Sequence, residues 1–346
     1  MNDDNSTGLT GNTDGTTQPA AFFNGRQTSA SDVNIYLRYV LLGVGICGIA
    51  SNALVLYAWI VHRQESKKRG IHLLIMNQNL LDLCCSIVMV ITISLKVTTI
   101  NLTGTLGYIL CAFFISDNTL LCLRHASVTN LMTLTVERYL KVVYPYWSKK
   151  NLKTWMIYAA IVFCWIAGIL PVFLIGMLTS FVVKGRCPPF TVYWRNLGLV
   201  TGLGTWTFVS FYLLPLITFV FCYGHIVVVM RKQMRVMAGH NVEGSAHNAS
   251  QAQSKRISWN ITKTMIIVSA VFIACYSPWN LYLMLTAVVH IRLTGGYIAG
   301  FFPHINVALN PFIYATRYEG VRRVLVRMIK CRKHVAVGVV TGSATN

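Results

Sequence analysis

The sequence predicts an all-α fold: a seven-transmembrane helix bundle with a short amphipathic helix on the inner membrane surface. Three observations carry the prediction. The 346 residues are 54% hydrophobic and only 12% charged, about half the ~25% charge of an average soluble domain. The apolar residues arrive in blocks of about 20 or more, long enough to cross a ~30 Å hydrocarbon layer as a helix. The 30 Lys+Arg, set against 10 Asp+Glu, are sorted by side of the membrane. A soluble protein this basic would point to nucleic acid. Apolar blocks of this length argue instead against a DNA-binding domain or a cytosolic enzyme, so no nucleic-acid partner is expected. The 10 cysteines lie mostly inside apolar runs and read as packing residues.

Residues 1–34 are polar, with Asp3, Asp4 and Asp14 among many Thr and Gly, and read as a disordered extracellular N-terminus. They lack the charged start and short apolar core of a cleavable signal peptide. The first apolar helix is therefore expected to serve as the membrane signal. Residues 35–317 form the transmembrane domain, with helices at 35–61, 72–97, 107–139, 154–181, 203–230, 259–289 and 295–316. After the last helix, Val321, Val324, Leu325, Met328 and Ile329 recur at helical spacing, with Arg322, Arg323, Arg327 and Lys330 opposite. Residues 318–331 are thus expected to lie along the inner surface as an amphipathic helix. Cys331 at its end is a candidate palmitoylation site, with an unmodified cysteine as the competing reading. Residues 332–346 make a cytoplasmic tail.

Orientation follows from the loop cations. The segments on the side of the C-terminus hold 22 of the 30 Lys and Arg, those on the other side seven, and Arg124 lies within a helix. The tail is therefore expected inside and the N-terminus outside, with the basic inner face meeting anionic membrane lipids. Glycosylation sequons at Asn5 and Asn101 fall outside; the one at Asn248 falls inside.

Polar groups in hydrocarbon are expensive, so each is a functional-site candidate. They are Asn52; Asn77, Asn79 and Asp82; Asp117, Asn118, Arg124, His125, Ser127, Asn130, Glu137 and Arg138; His225; and His304, Asn306 and Asn310. Asp82 is an acid deep in its segment, with Asn52, Ser127, Asn306 and Asn310 at matching depth. Oxygens gathered on one carboxylate suit a small cation such as sodium. A hydrogen-bonded packing knot without an ion is the alternative. Pro171, Pro215, Pro278 and Pro311 are expected to kink their helices.

Taken together these residues resemble the rhodopsin-like (class A) G-protein-coupled receptors over about residues 35–331. The matching motifs run in order: Gly48-Ile49-Ala50-Ser51-Asn52; Leu81-Asp82-Leu83; Glu137-Arg138-Tyr139 leading into Val142-Val143-Tyr144-Pro145; Trp165 and Pro171; Pro215 with Tyr223. They continue with Phe272, Cys275-Tyr276-Ser277-Pro278, Asn306 and Asn310-Pro311-Phe312-Ile313-Tyr314. The resemblance implies a multi-pass plasma-membrane receptor and no enzyme. An extracellular agonist would settle among the outer halves of helices 3, 5, 6 and 7, and helix 6 would swing outward to admit a heterotrimeric G protein. Arrestin is a further implied partner. Glu137, Arg138, Tyr139, Tyr223, Asn310, Pro311 and Tyr314 would carry G-protein coupling and activation. Val128, Pro215, Phe272 and Tyr276 would form the packing switch, and in the resting form Glu137 would hold Arg138.

The departures from the family pattern are equally specific. The acid expected at the inner end of helix 6 is missing, for the stretch reads Lys255-Arg256-Ile257-Ser258, which implies raised ligand-free signalling. Tyr276 stands where tryptophan is usual. The family disulfide would join Cys111 to Cys187, although Cys111 sits two residues too far from Arg138, a rotation of ~200° on a regular helix.

The ligand is less legible. No lysine lies between Thr294 and Thr316 and the retinal position is His304, so no retinal is expected and no other cofactor. The position of the amine-binding aspartate is Leu120, with Asp117 one turn further out. Arg124 is expected to face the pocket, and two readings stay open: an internal pair with Asp117 or a hydroxyl, or a contact with an acidic ligand group aided by His304. A peptide agonist is the first expectation, and a small acidic or amine-type ligand the alternative. A transporter is the rival class, but no internal repeat of the transporter kind is visible.

Overall fold

The computed structural model describes residues 27–65, 69–98, 100–187, 197–239, 246–288, 296–318 and 321–328. Asn5 and Cys331 lie outside the described residues, as do residues 332–346. The described chain is helical apart from one short hairpin bridge.

Helix α1 spans Gln27–Glu65 and α2 Arg69–Val97. The third crossing is composite: α3 at Gly104–Leu110, a π turn at Cys111–Ile115, then α4 at Asn118–Val143. A short α5, Pro145–Asn151, starts on its proline and leads into α6, Thr154–Thr179. The fifth crossing is α7, Leu197–Phe208, a π turn at Val209–Leu213 and α8, Leu214–Gly239. Helix α9, Ala246–Leu283, ends in a π turn at Met284–Val288 and is followed by α10, Gly296–Arg317. Residues 321–328 form a last helix, α11.

Six of these crossings are long and apolar enough to span a membrane. The chain is a multi-pass membrane protein. Seven such helices were expected. The exception is α10, whose 22 residues include Pro303, His304, Asn306, Asn310 and Pro311, enough polarity to dilute its hydropathy. Its length is ample, at roughly 1.5 Å of rise per residue, and it packs against α1, α2 and α9.

Large apolar side chains such as Val162, Phe163, Ile217, Phe221 and Val228 point outward and are exposed. Water would penalise such a surface; lipid does not. The interior is layered instead. One cluster fills the inner half, from Trp59, Leu74 and Leu134 to Phe219, Met265, Phe272 and Tyr314. Smaller clusters lie above it, one around Leu81, Cys85, Leu123 and Ala126 and one around Leu41, Met89, Ile93 and Leu120.

Close approach is set by missing side chains. A Cβ on Gly168 of α6 would stand 2.5 Å from the Ala126 backbone nitrogen, and one on Gly48 of α1 would stand 2.5 Å from Ser86 Oγ. Such small residues let membrane helices meet where hydrophobicity cannot press them together.

Element ends depart from expectation for physical reasons. Helix α1 begins eight residues before residue 35, because Gln27–Asn34 contains no glycine or proline to stop it. A π turn at Val209–Leu213 directly precedes Pro215, and π bulges, like prolines, are a recognised cause of kinks. Helix α11 buries Val321 and Val324, half-buries Leu325 and exposes Arg322, Arg323 and Met328.

Candidate functional site

The centre of the bundle is built on Asp82, which is 1% exposed. Asn310 Nδ2 donates to one carboxylate oxygen at 2.8 Å. The other oxygen accepts from Ser127 Oγ at 3.2 Å and Gln78 Nε2 at 3.3 Å. Gln78 Nε2 also contacts Ser127 Oγ, and its carbonyl accepts from Asn130 Nδ2 at 2.8 Å. Asn77 Nδ2 donates to Asn130 Oδ1 at 3.0 Å, and Trp165 Nε1 donates to Asn77 Oδ1 at 3.1 Å. One connected network therefore ties α2, α4, α6 and α10. Helical spacing explains it: Gln78 and Asp82 are four apart, Ser127 and Asn130 three apart, so each pair shares a face.

Asn52 and Asn306 are buried nearby but stand outside this hand-to-hand set. Asn52 Nδ2 donates to the carbonyls of Gly48 at 2.9 Å and Val307 at 3.1 Å, clamping α1 to α10. The Oδ1 of Asn306 is enclosed without a hydrogen-bond partner. Gln78 was absent from the sequence-based candidates, although its position four residues before Asp82 would have found it.

Sodium requires oxygen lone pairs turned inward. Both Asp82 oxygens accept from protein donors, while the Oδ1 atoms of Asn52, Asn306 and Asn310 are buried without hydrogen-bond partners, oxygens of the kind that a small cation takes.

At the inner end of α4, Arg138 is closed on its neighbour: Nε donates to Glu137 Oε2 at 2.6 Å and Nη2 to Oε1 at 3.0 Å. Lys141 Nζ reaches the same carboxylate at 2.5 Å. Glu137 and Arg138 are each 5% exposed. Among the described residues no acid of α9 joins them. Tyr223 Oη bonds Thr135 Oγ1 at 2.9 Å and accepts from Ser269 Oγ at 3.5 Å, linking α8, α4 and α9. Tyr139 Oη meets His225 Nδ1 at 3.2 Å. The Tyr314 hydroxyl is buried without a hydrogen-bond partner, one turn beyond Pro311.

Between these levels, Phe272 stacks on Tyr276 with ring centroids 4.4 Å apart and meets Phe219 edge-on at 5.8 Å. Val128, Phe272 and Tyr276 share the inner core, and Pro215 is buried on α8.

The outer end explains the spacing anomaly of Cys111. Cys111 and Cys187 are joined by a disulfide, Cα atoms 5.4 Å apart. The π turn absorbs surplus chain, and the helix then breaks at Asp117, whose φ of 62° is left-handed. Asn118 Nδ2 secures the break by donating to Ala112 O at 2.8 Å, Ser116 Oγ at 2.9 Å and Ser180 Oγ at 3.0 Å. The strap carrying Cys187 is a tight hairpin, Val183 paired with Arg186, turning through Lys184 and Gly185 at positive φ. Gly185 O accepts from Leu102 N at 2.9 Å, and exposed Asn101 packs beside that glycine.

Asp117 does not pair with Arg124. Its carboxylate takes Lys96 Nζ at 2.5 Å, because the left-handed turn aims it at α2. Lys96, and not Arg124, is therefore the partner of Asp117. Leu120 is buried in the outer core at 1% exposure. His304 Nδ1 donates to Gly300 O at 2.7 Å. Arg124 is partly exposed, yet its Nε and Nη2 are enclosed without hydrogen-bond partners.

The family described as 7 transmembrane receptor (rhodopsin family) matches this chain over residues 51–314, from the end of the α1 asparagine motif to Tyr314.

Proposed function

We propose, from the premise that this chain belongs to the rhodopsin family of seven-transmembrane receptors, that it couples an extracellular agonist to a heterotrimeric G protein. Helix α10 is the seventh crossing, the N-terminus faces the exterior of the plasma membrane, and α11 lies on the inner leaflet. The reading is carried by one observation: Arg138 is buried at the inner end of α4, held by Glu137 alone among described acids. A buried guanidinium with a single adjacent restraint is a two-state element. Release from Glu137 leaves it free to meet a partner that enters from the cytosol.

In the mechanism an agonist settles above Tyr276 and biases the Phe272–Tyr276 stack against Phe219. A ligand shifts such an equilibrium only by its differential affinity for the two packings. Helix α9 pivots at Pro278 and its inner end moves away from α4. Tyr223 leaves Thr135, and Tyr314, whose hydroxyl has no partner in the closed packing, gains one in the open form. Arrestin would read the same opened face. A peptide is the agonist favoured by the compact outer loops, and a small acidic ligand is the alternative that the setting of Arg124 favours.

The test is G-protein dissociation in cells expressing the chain with each Gα subtype in turn. Dissociation above mock transfection for at least one subtype is expected, and Arg138→Ala should reduce it by more than tenfold. A signal equal to mock for every subtype, with and without a peptide library, overturns the reading.

A further inference from the structure

We propose that the interhelical site around Arg124 receives a carboxylate-bearing ligand, its anionic group pairing with the Arg124 guanidinium. The inference deepens the receptor reading and rests on it for the site's access from outside. It begins from a charge that the chain itself leaves unmatched.

A guanidinium presents five N–H donors in a planar fork and cannot shed its charge. Placed mid-helix, it calls for an anion or a ring of acceptors. Arg124 has neither. Its Nε and Nη2 are enclosed without hydrogen-bond partners. Among the described side chains the acids are Asp82, Asp117 and Glu137, and each is otherwise engaged: Asp82 with Asn310, Ser127 and Gln78, Asp117 with Lys96, Glu137 with Arg138 and Lys141. His304 supplies no anion. Its Nδ1 donates to the Gly300 carbonyl.

The surroundings also select the ligand's charge and shape. Arg124 is partly exposed as a residue while its Nε and Nη2 are enclosed, so a ligand would engage the fork as the side chain turns toward its open side. The lysine of α2, Lys96, is bound to Asp117 and offers no second cation. One guanidinium neutralises one negative charge. A carboxylate matches its fork with two parallel hydrogen bonds, whereas a phosphate dianion would retain an uncompensated charge.

The purified receptor in detergent provides the test, with thermal unfolding as readout. Acetate, butyrate and benzoate are each compared with their neutral amides at constant ionic strength, and a short peptide with a free C-terminus is compared with its C-terminal amide. Binding to the folded state raises the unfolding temperature by mass action, on the order of several degrees well above Kd. The expected result is a saturable rise for at least one carboxylate form and not for its amide, lost in Arg124→Gln and partly kept in Arg124→Lys. The peptide arm and the small-acid arm separate the two sources of the carboxylate, and a response in either supports the site. Equal shifts from acids and amides, or no shift from any acid, overturn it. Should Arg124→Gln fail to fold, the acid-against-amide comparison on the unaltered protein and the Arg124→Lys response still decide. Retained G-protein dissociation without any carboxylate response rejects this site alone; the reverse pattern rejects coupling alone.

Discussion

A single glutamine changes the chemistry of the central carboxylate. Gln78 Nε2 and Asn310 Nδ2 both donate to Asp82, so the protein itself meets part of the carboxylate's demand for donors. Replacing Gln78 by leucine removes a donor from Asp82 and an acceptor from Asn130. Leaving a buried polar group short of a partner costs about 1–3 kcal/mol. Gln78→Leu should therefore lower the unfolding temperature in potassium chloride. Substituting sodium chloride at equal ionic strength should recover part of the loss in Gln78→Leu and leave the unaltered protein unchanged. Sodium-dependent stabilisation of the unaltered protein would show that the amide does not hold the carboxylate as described. Residue identity made Asp82, Ser127 and Asn310 legible in the sequence, because ionisable and amide groups are scarce in apolar runs. Gln78 escaped notice because a glutamine near the inner half of a helix is long enough to reach water and does not announce its direction. The Asp117–Lys96 pair was equally hidden. It depends on a left-handed backbone turn that no local composition signals in advance.

At the level of the helix, α9 enters the cytosolic side with Lys255-Arg256-Ile257-Ser258 and brings no acid to the Glu137–Arg138 pair. The restraint on Arg138 is then local to α4, and α9 is held to α4 mainly by packing and by the Ser269–Tyr223–Thr135 chain. Ligand-free G-protein dissociation should exceed mock transfection, and Ser258→Glu should lower it by several-fold by placing a carboxylate at the inner end of α9. Unchanged ligand-free dissociation in Ser258→Glu, at equal surface expression, would show that α9 is restrained by other means. Helix spans were readable because length and hydropathy suffice to define them. The interruption at Cys111–Asp117 was visible only as a two-residue surplus. The sequence could not decide whether helix or loop absorbed that surplus. The structure places it in the helix, where the Asn118 side chain supplies the hydrogen bonds that an unbroken backbone would have made.

For the molecule as a whole, charge and apolar surface set orientation together. Of the 30 cations, 22 lie on the side of the C-terminus, and the outward-facing side chains between are apolar. An epitope at the N-terminus should bind antibody on intact cells, and one at the C-terminus only after permeabilisation. The opposite labelling pattern would invert every functional assignment made here. The topology was legible because the membrane sorts residues by two coarse properties, hydropathy and positive charge. The ligand was not, since selectivity rests on where a few side chains point across the gap between helices.

The left-handed turn at Asp117 also governs how neighbours are to be identified by counting. Inward of Asn118, positions numbered back from Arg138 fall on the faces that an uninterrupted helix would give them. Outward of the turn the chain carries two extra residues, so the same count lands on the far side of the rod. Mutational maps of the extracellular vestibule must therefore be indexed from the Cys111 bridge downward. A map transferred from a relative through the arginine alone would place its probes with their backs to the ligand.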